Sequence, residues 1–118
     1  MATVRFIDER AIIDLSYFEQ KIFERTEYEV DLRSLIRVDL ETIPEVVDLG
    51  ERQSTRWIFE GYKGTYLYRY KKRVVLGQPG EQSVRVLLFN PNFDEIWLPA
   101  ENLDEIADQF GIFLRKSK

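Results

Sequence analysis

The sequence contains no cysteine and no histidine among its 118 residues. Without cysteine the chain can form no disulfide, thiolate metal site or thiol nucleophile. Without histidine it lacks the usual general base of a catalytic triad and the commonest transition-metal ligand. We therefore predict that the protein is not an enzyme and holds no metal and no cofactor.

Long apolar runs are also missing. No stretch approaches the roughly 18 consecutive apolar residues of a membrane-spanning helix. The charged opening, MATVRFIDER, does not resemble a secretory signal. We expect a cytoplasmic protein without a transmembrane segment.

What is present is the composition of a globular domain, with 44% hydrophobic, 14% aromatic and 32% charged residues. No linker, repeat or low-complexity tract divides the chain, so we expect a single domain over residues 1–118. The net charge is −4, but residues 51–80 carry seven basic and two acidic side chains, for a local net charge of +5. A local basic patch on an acidic protein is therefore expected.

Short segments of alternating or apolar character predict a mixed α+β fold. Ser16 and Glu19 have capping-box spacing, which predicts a helix over 17–25. Phe18 and Ile22 are expected on one face, and Ile22 and Phe23 are expected to anchor the helix to the core. An apolar stripe after Asn102 predicts an amphipathic C-terminal helix that Gly111 weakens, so that the helix ends or bends there. Period-2 alternation and turn residues predict strands. The predicted strands are 2–7, 11–15, 28–42 with a corner near 33–34, 56–60, 65–76, 83–89 and 93–98.

Two runs resemble a known family. IIDLSYFEQKIFERTEYEVDLRSLIRVDL resembles the opening of short bacterial proteins with a pleckstrin-homology-like (PH-like) fold, and GTYLYRYKKRVVLG with SVRVLLFNPNFDEIWLPAENLDEI resembles their later strands. The resemblance implies an antiparallel split barrel of six or seven strands, with a short inserted helix and a C-terminal capping helix. It does not imply a ligand, because this fold serves lipid, peptide and protein recognition alike.

Basic residues are the main candidate for a binding site. They could cradle phosphate groups of an anionic ligand or a membrane surface, or they could be solvated charges that protect an edge strand from aggregation. The candidate residues are Arg56, Lys63, Arg69, Lys71, Lys72 and Arg73.

Two other patterns have structural interpretations. Tyr66, Tyr68 and Tyr70 alternate within the predicted strand 65–76, which places them on one face as core or protein-contact residues and argues against nucleic-acid binding. Asp94 and Glu95 are neighbours on a strand and point to opposite faces, so we expect solvated carboxylates rather than a catalytic pair.

These observations favour a non-catalytic interaction or scaffold module. Its expected partner is a protein or peptide, with self-association as one form, met at a sheet edge or in the groove beside the C-terminal helix. The alternatives are a binder of anionic ligands or membranes through residues 69–73, and an enzyme of unfamiliar type.

Overall fold

The computed structural model describes residues 2–53 and 63–116. The strand predicted over 56–60 therefore lies outside the described residues. The described chain is an α+β fold of nine strands and three α-helices. In chain order the elements are β1 Thr3–Ile7, β2 Arg10–Asp14, α1 Tyr17–Phe23, β3 Glu27–Asp31, β4 Leu35–Thr42, α2 Val46–Leu49, β5 Glu51–Arg52, β6 Gly64–Tyr68, β7 Lys71–Val75, β8 Gln82–Leu88, β9 Glu95–Leu98 and α3 Leu103–Lys116.

The strands form two sheets. The first is an antiparallel meander in the order β1-β2-β3, and the second has the order β4-β8-β9-β7-β6-β5. One pairing departs from the predicted antiparallel arrangement, because β7 runs parallel to β9. A parallel neighbour requires a long crossover, which the chain makes through β8. The described strands do not close the two sheets into one barrel, so the split barrel remains a prediction.

The predicted strand over 65–76 is wrong, because the chain reverses within it. Strand β6 ends at Tyr68 and β7 begins at Lys71, with Tyr68 and Lys71 paired across the turn. The two turn residues, Arg69 and Tyr70, both have left-handed backbones with φ of 49° and 68°. Two-residue hairpin turns of this kind favour Asn-Gly or Asp-Gly, so Arg-Tyr gives the sequence no turn signal.

Helix α1 begins as its sequence predicts. The Ser16 N–H donates to Glu19 Oε1 at 2.8 Å, and the Glu19 N–H donates back to Ser16 Oγ at 3.4 Å, which confirms the capping box. Ile22 is buried, but Phe18 is 63% exposed and does not anchor the helix. The corner predicted near 33–34 is also confirmed, as a turn of 3₁₀ helix over Leu32–Ser34.

Helix α3 and both sheets enclose the main core. Helix α3 continues through Gly111 to Lys116, so the predicted end at this glycine does not occur. Phe110 of α3 is fully buried and meets Phe6 of β1 edge to face, with ring centroids 5.1 Å apart. The outer face of the second sheet carries a smaller apolar cluster, which comprises Ile43, Leu49, Tyr66, Val75 and Trp97.

The turn at residues 69–70 yields a stability prediction. Replacing Arg69 and Tyr70 with Asn-Gly should stabilise the protein by about 1 kcal/mol, because a bulky residue at positive φ carries a conformational cost that Asn and Gly avoid. Urea unfolding of the variant and the wild type measures the difference. An unchanged or lower midpoint would contradict the left-handed turn.

Two buried tyrosines predict how stability changes in alkali. Burial raises the pKa of Tyr28 and of Tyr66 above the ordinary value, against the opposing influence of Arg25 and of Arg52. The folded protein therefore holds these protons where the unfolded chain has released them, so stability is full below pH ~10 and falls as the pH rises further. Chemical denaturation across this range, compared with Tyr66→Phe, measures the loss. A Tyr66→Phe variant with the same alkaline slope as the wild type would contradict the prediction for Tyr66.

Candidate functional site

The outer edge of β1 is one of the two edges of the first sheet and carries backbone groups that no described strand pairs with. The Leu15 N–H donates to Thr26 O at 3.1 Å, and the Leu32 N–H donates to Glu9 O at 2.9 Å. These two bonds flank β2, and they show that the odd-numbered residues of β2 direct their backbone N–H and C=O groups towards β3. Hydrogen-bonded and non-hydrogen-bonded pairs alternate along antiparallel strands. The even-numbered residues of β2 therefore direct their backbone groups towards β1.

The same alternation fixes which groups of β1 face outward. Thr3, Arg5 and Ile7 lie opposite the even-numbered residues of β2 and direct their backbone groups inward. The N–H and C=O groups of Val4 and Phe6 therefore point to the outer edge. No strand of the described chain pairs with that edge. An open row of donors and acceptors is a template for an added strand.

A groove runs beside this edge, between β1 and the beginning of α3. We define the β1–α3 groove by its apolar floor of Val4, Phe6 and Ile106. Its main part has a volume of about 590 Å³, and a second part of about 360 Å³ extends towards Ala2 and Ala100. Contact between Phe6 and Phe110 holds one wall against the other. The floor of the groove therefore rests on the main core, of which Ile106 is a member and against which Val4 and Phe6 pack.

Carboxylates border this groove. We call Glu101, Glu105 and Asp108 the acidic rim, and all three are exposed. The nearest cation on β1, Arg5, is already paired with Asp14 at 2.5 Å. Arg5 hydrogen-bonds the Asp14 carboxylate and holds the pKa of Asp14 below its usual value. The groove consequently presents an apolar floor and a negative border.

The structure separates the basic candidates that it describes. Arg56 lies outside the described residues. Lys63 is mostly buried and lies 3.4 Å from Glu19, whose side chain is fully buried. Arg73 is also buried, and its Nε contacts Glu95 Oε2 at 2.6 Å. Lys63 and Arg73 therefore do not share an exposed surface with the other described candidates, and an anion site on those others stays a prediction.

Arg69, Lys71 and Lys72 do remain together, on the exposed end of the β6–β7 hairpin. We call residues 69–72 the basic tip. Its cations form no ion pair with a carboxylate of the described chain. Arg69 lies over the ring of Tyr68 at 5.1 Å. Tyr70 is 96% exposed, whereas Tyr66 is buried, so the tyrosines do not share one face as predicted.

Glu95 is the charged residue that the sequence interpretation missed. Its carboxylate is 1% exposed and accepts hydrogen bonds from Arg73 and Arg85. The prediction of a solvated Glu95 is therefore wrong, whereas Asp94 is half-buried and accepts from the Lys72 N–H. Arg73 also donates to the Leu49 carbonyl oxygen at 3.4 Å and lies 4.2 Å above the Tyr68 ring. This network joins the hairpin to β8 and β9.

Comparison with known proteins gives no relative: no family model, curated protein or solved structure matches the chain. Within residues 2–53 and 63–116, no helix is both long and apolar enough to cross a membrane. The same residues contain no cluster of three or more acidic side chains arranged to hold a metal ion.

Removing the carboxylate of Glu95 should be strongly destabilising. Glu95→Gln leaves Arg73 buried without a counter-charge, and we expect a loss of about 3–5 kcal/mol. Glu29→Gln is a matched control, because Glu29 pairs with Arg10 on the exposed surface, and it should cost no more than about 1 kcal/mol. Denaturant unfolding measures both, and equal small losses would contradict a buried network.

Proposed function

We propose that the chain is a non-catalytic interaction module whose β1–α3 groove takes an extended segment of a partner protein as an additional strand. The open edge of β1 beside an apolar groove is the observation that carries this proposal. Main-chain hydrogen bonds to Val4 and Phe6 would supply affinity, and the groove would select alternate side chains of the segment. The resemblance to bacterial PH-like proteins, a cytoplasmic location and the absence of catalysis stay predictions.

The charge of the groove specifies the partner segment. An added strand presents alternate side chains to the same face, so one set would enter the groove over Val4, Phe6 and Ile106. The other set would point to the opposite face of the sheet, so its charge would act on the acidic rim through the field of these exposed carboxylates and not through direct contact. A segment that alternates apolar residues with Lys or Arg therefore fits best, and its binding should weaken with salt because the rim is exposed.

A synthetic peptide of alternating Lys and Val tests the proposal. Titration into isotope-labelled protein should shift the amide resonances of Val4, Phe6 and Glu105. A Glu-Val peptide of the same length should bind at least about tenfold more weakly, because the negative field of the rim repels its carboxylates. Absence of shifts at Val4 and Phe6 with the Lys-Val peptide would refute strand addition at this edge.

Proline substitution separates backbone pairing from general attraction. Val4→Pro removes an outward N–H that β2 does not use, and edge strands tolerate such a proline. We expect a folded variant that binds the Lys-Val peptide at least about tenfold more weakly, from the loss of a main-chain hydrogen bond. Glu29→Pro is the matched control: Glu29 lies on β3, the other edge strand, and its N–H also points away from β2. Equal binding by both variants would contradict the proposal.

A further inference from the structure

The basic tip and the β1–α3 groove lie at opposite ends of one strand. The Asp94 N–H, immediately before β9, donates to the carbonyl oxygen of Lys72 in the tip at 2.8 Å. At the other end, the chain leaves β9 at Leu98 and reaches the groove at Ala100 and Glu101. The four extended residues of β9 separate the two ends, a length of ~13 Å.

The two ends are complementary in charge and shape. The tip presents three cations, Arg69, Lys71 and Lys72, and the groove border presents the three carboxylates of the acidic rim. Most other described arginines are already paired with carboxylates of their own chain; examples are Arg5, Arg10, Arg33, Arg37, Arg73 and Arg85. The tip therefore keeps positive charge of the kind that most other described arginines have neutralised by pairing.

Tyr70 supplies an apolar group at the centre of the tip. Its ring is 96% exposed, on a backbone with φ of 68° that bulky residues seldom adopt. An exposed ring that carries such a conformational cost calls for an explanation outside stability. Tyrosine and arginine are also the residues that most often dominate protein–protein interfaces.

We propose that the occupant of the β1–α3 groove includes a second copy of this chain, whose basic tip inserts Tyr70 between Val4 and Ile106 while its cations meet the acidic rim. This inference rests on the proposed function, because the groove is the receiving surface in both. The contact is head-to-tail: each copy uses its tip on one neighbour and its groove on another. Such heterologous contacts propagate into rings or filaments.

Both edges of the β6–β7 hairpin are already paired, with β5 and with β9. The tip therefore enters the groove as a turn and does not add a strand to β1. Tip and peptide compete for the same floor and rim. Self-association should accordingly be weak, since the contact is small, and should be displaced by the Lys-Val peptide.

Sedimentation velocity at several concentrations tests the inference. The weight-average mass of the wild type should rise with concentration at low salt. Raising the ionic strength from ~0.01 M to ~0.15 M should weaken association at least about tenfold, because the screening length falls from about 30 Å to about 8 Å. A wild type that stays monomeric at millimolar concentration in low salt would overturn the inference.

Two variants and their mixture decide whether the contact is head-to-tail. Lys71→Gln/Lys72→Gln keeps the groove but loses the tip, and Glu105→Gln/Asp108→Asn keeps the tip but loses the groove. Each variant alone should remain monomeric, and an equal mixture should form a 1:1 dimer that does not grow, because only one functional tip meets one functional groove. A mixture that fails to pair would contradict the head-to-tail contact.

A control variant and a test of membrane binding complete the experiment. Lys21→Gln/Arg37→Gln makes the same change in net charge as the tip variant, on other elements, and should associate like the wild type. Tyr70→Ser should weaken association about tenfold or more. Peptide binding without self-association would overturn this inference alone and leave the groove function standing. Binding of the monomeric wild type to phosphatidylserine vesicles, lost in the tip variant, would assign the tip to a membrane surface instead.

Discussion

The alternation of backbone hydrogen bonds along β2 is the constraint on which the rest depends. Every second residue of β2 directs its backbone hydrogen bonds to β3, as the bonds at Leu15 and Leu32 show. The other residues of β2 direct theirs to β1. The outward groups of β1 then belong to Val4 and Phe6, whose side chains also face α3. The register of the first sheet thus places the unpaired N–H and C=O groups and the apolar side chains of the same two residues beside one groove.

At the opposite end of the molecule, the Arg73–Glu95–Arg85 network holds neighbouring strands of the second sheet together. Glu95 begins β9, Arg73 lies on β7 and Arg85 on β8, so one buried carboxylate ties three strands of the second sheet together. Buried charges of this kind are tolerated only when each partner is satisfied. Because Arg73 is committed to this network, the exposed charge of the hairpin is confined to its end.

Local signals in the sequence predicted local structure well. The capping box at Ser16 and the corner near 33–34 were predictable because the residues that form each feature are near neighbours in the chain. The reversal at Arg69–Tyr70 was not, because neither residue type signals a left-handed turn. The burial of Arg73 could not be foreseen either, since its partner Glu95 lies 22 residues away and periodicity does not report such pairings. The site was predicted only in outline, as a sheet edge or a groove beside the last helix; its floor joins β1 to α3, from opposite ends of the sequence.

Amide hydrogen exchange in the free, dilute protein tests the open edge most directly. The amides of Arg5 and Ile7 are bonded to β2 and should be protected, whereas those of Val4 and Phe6 should exchange rapidly although they lie in the same strand. This alternation should persist at low concentration, where no second copy occupies the groove. Uniform protection along β1 would mean that the edge is already covered, and it would contradict a groove that is open to a partner strand.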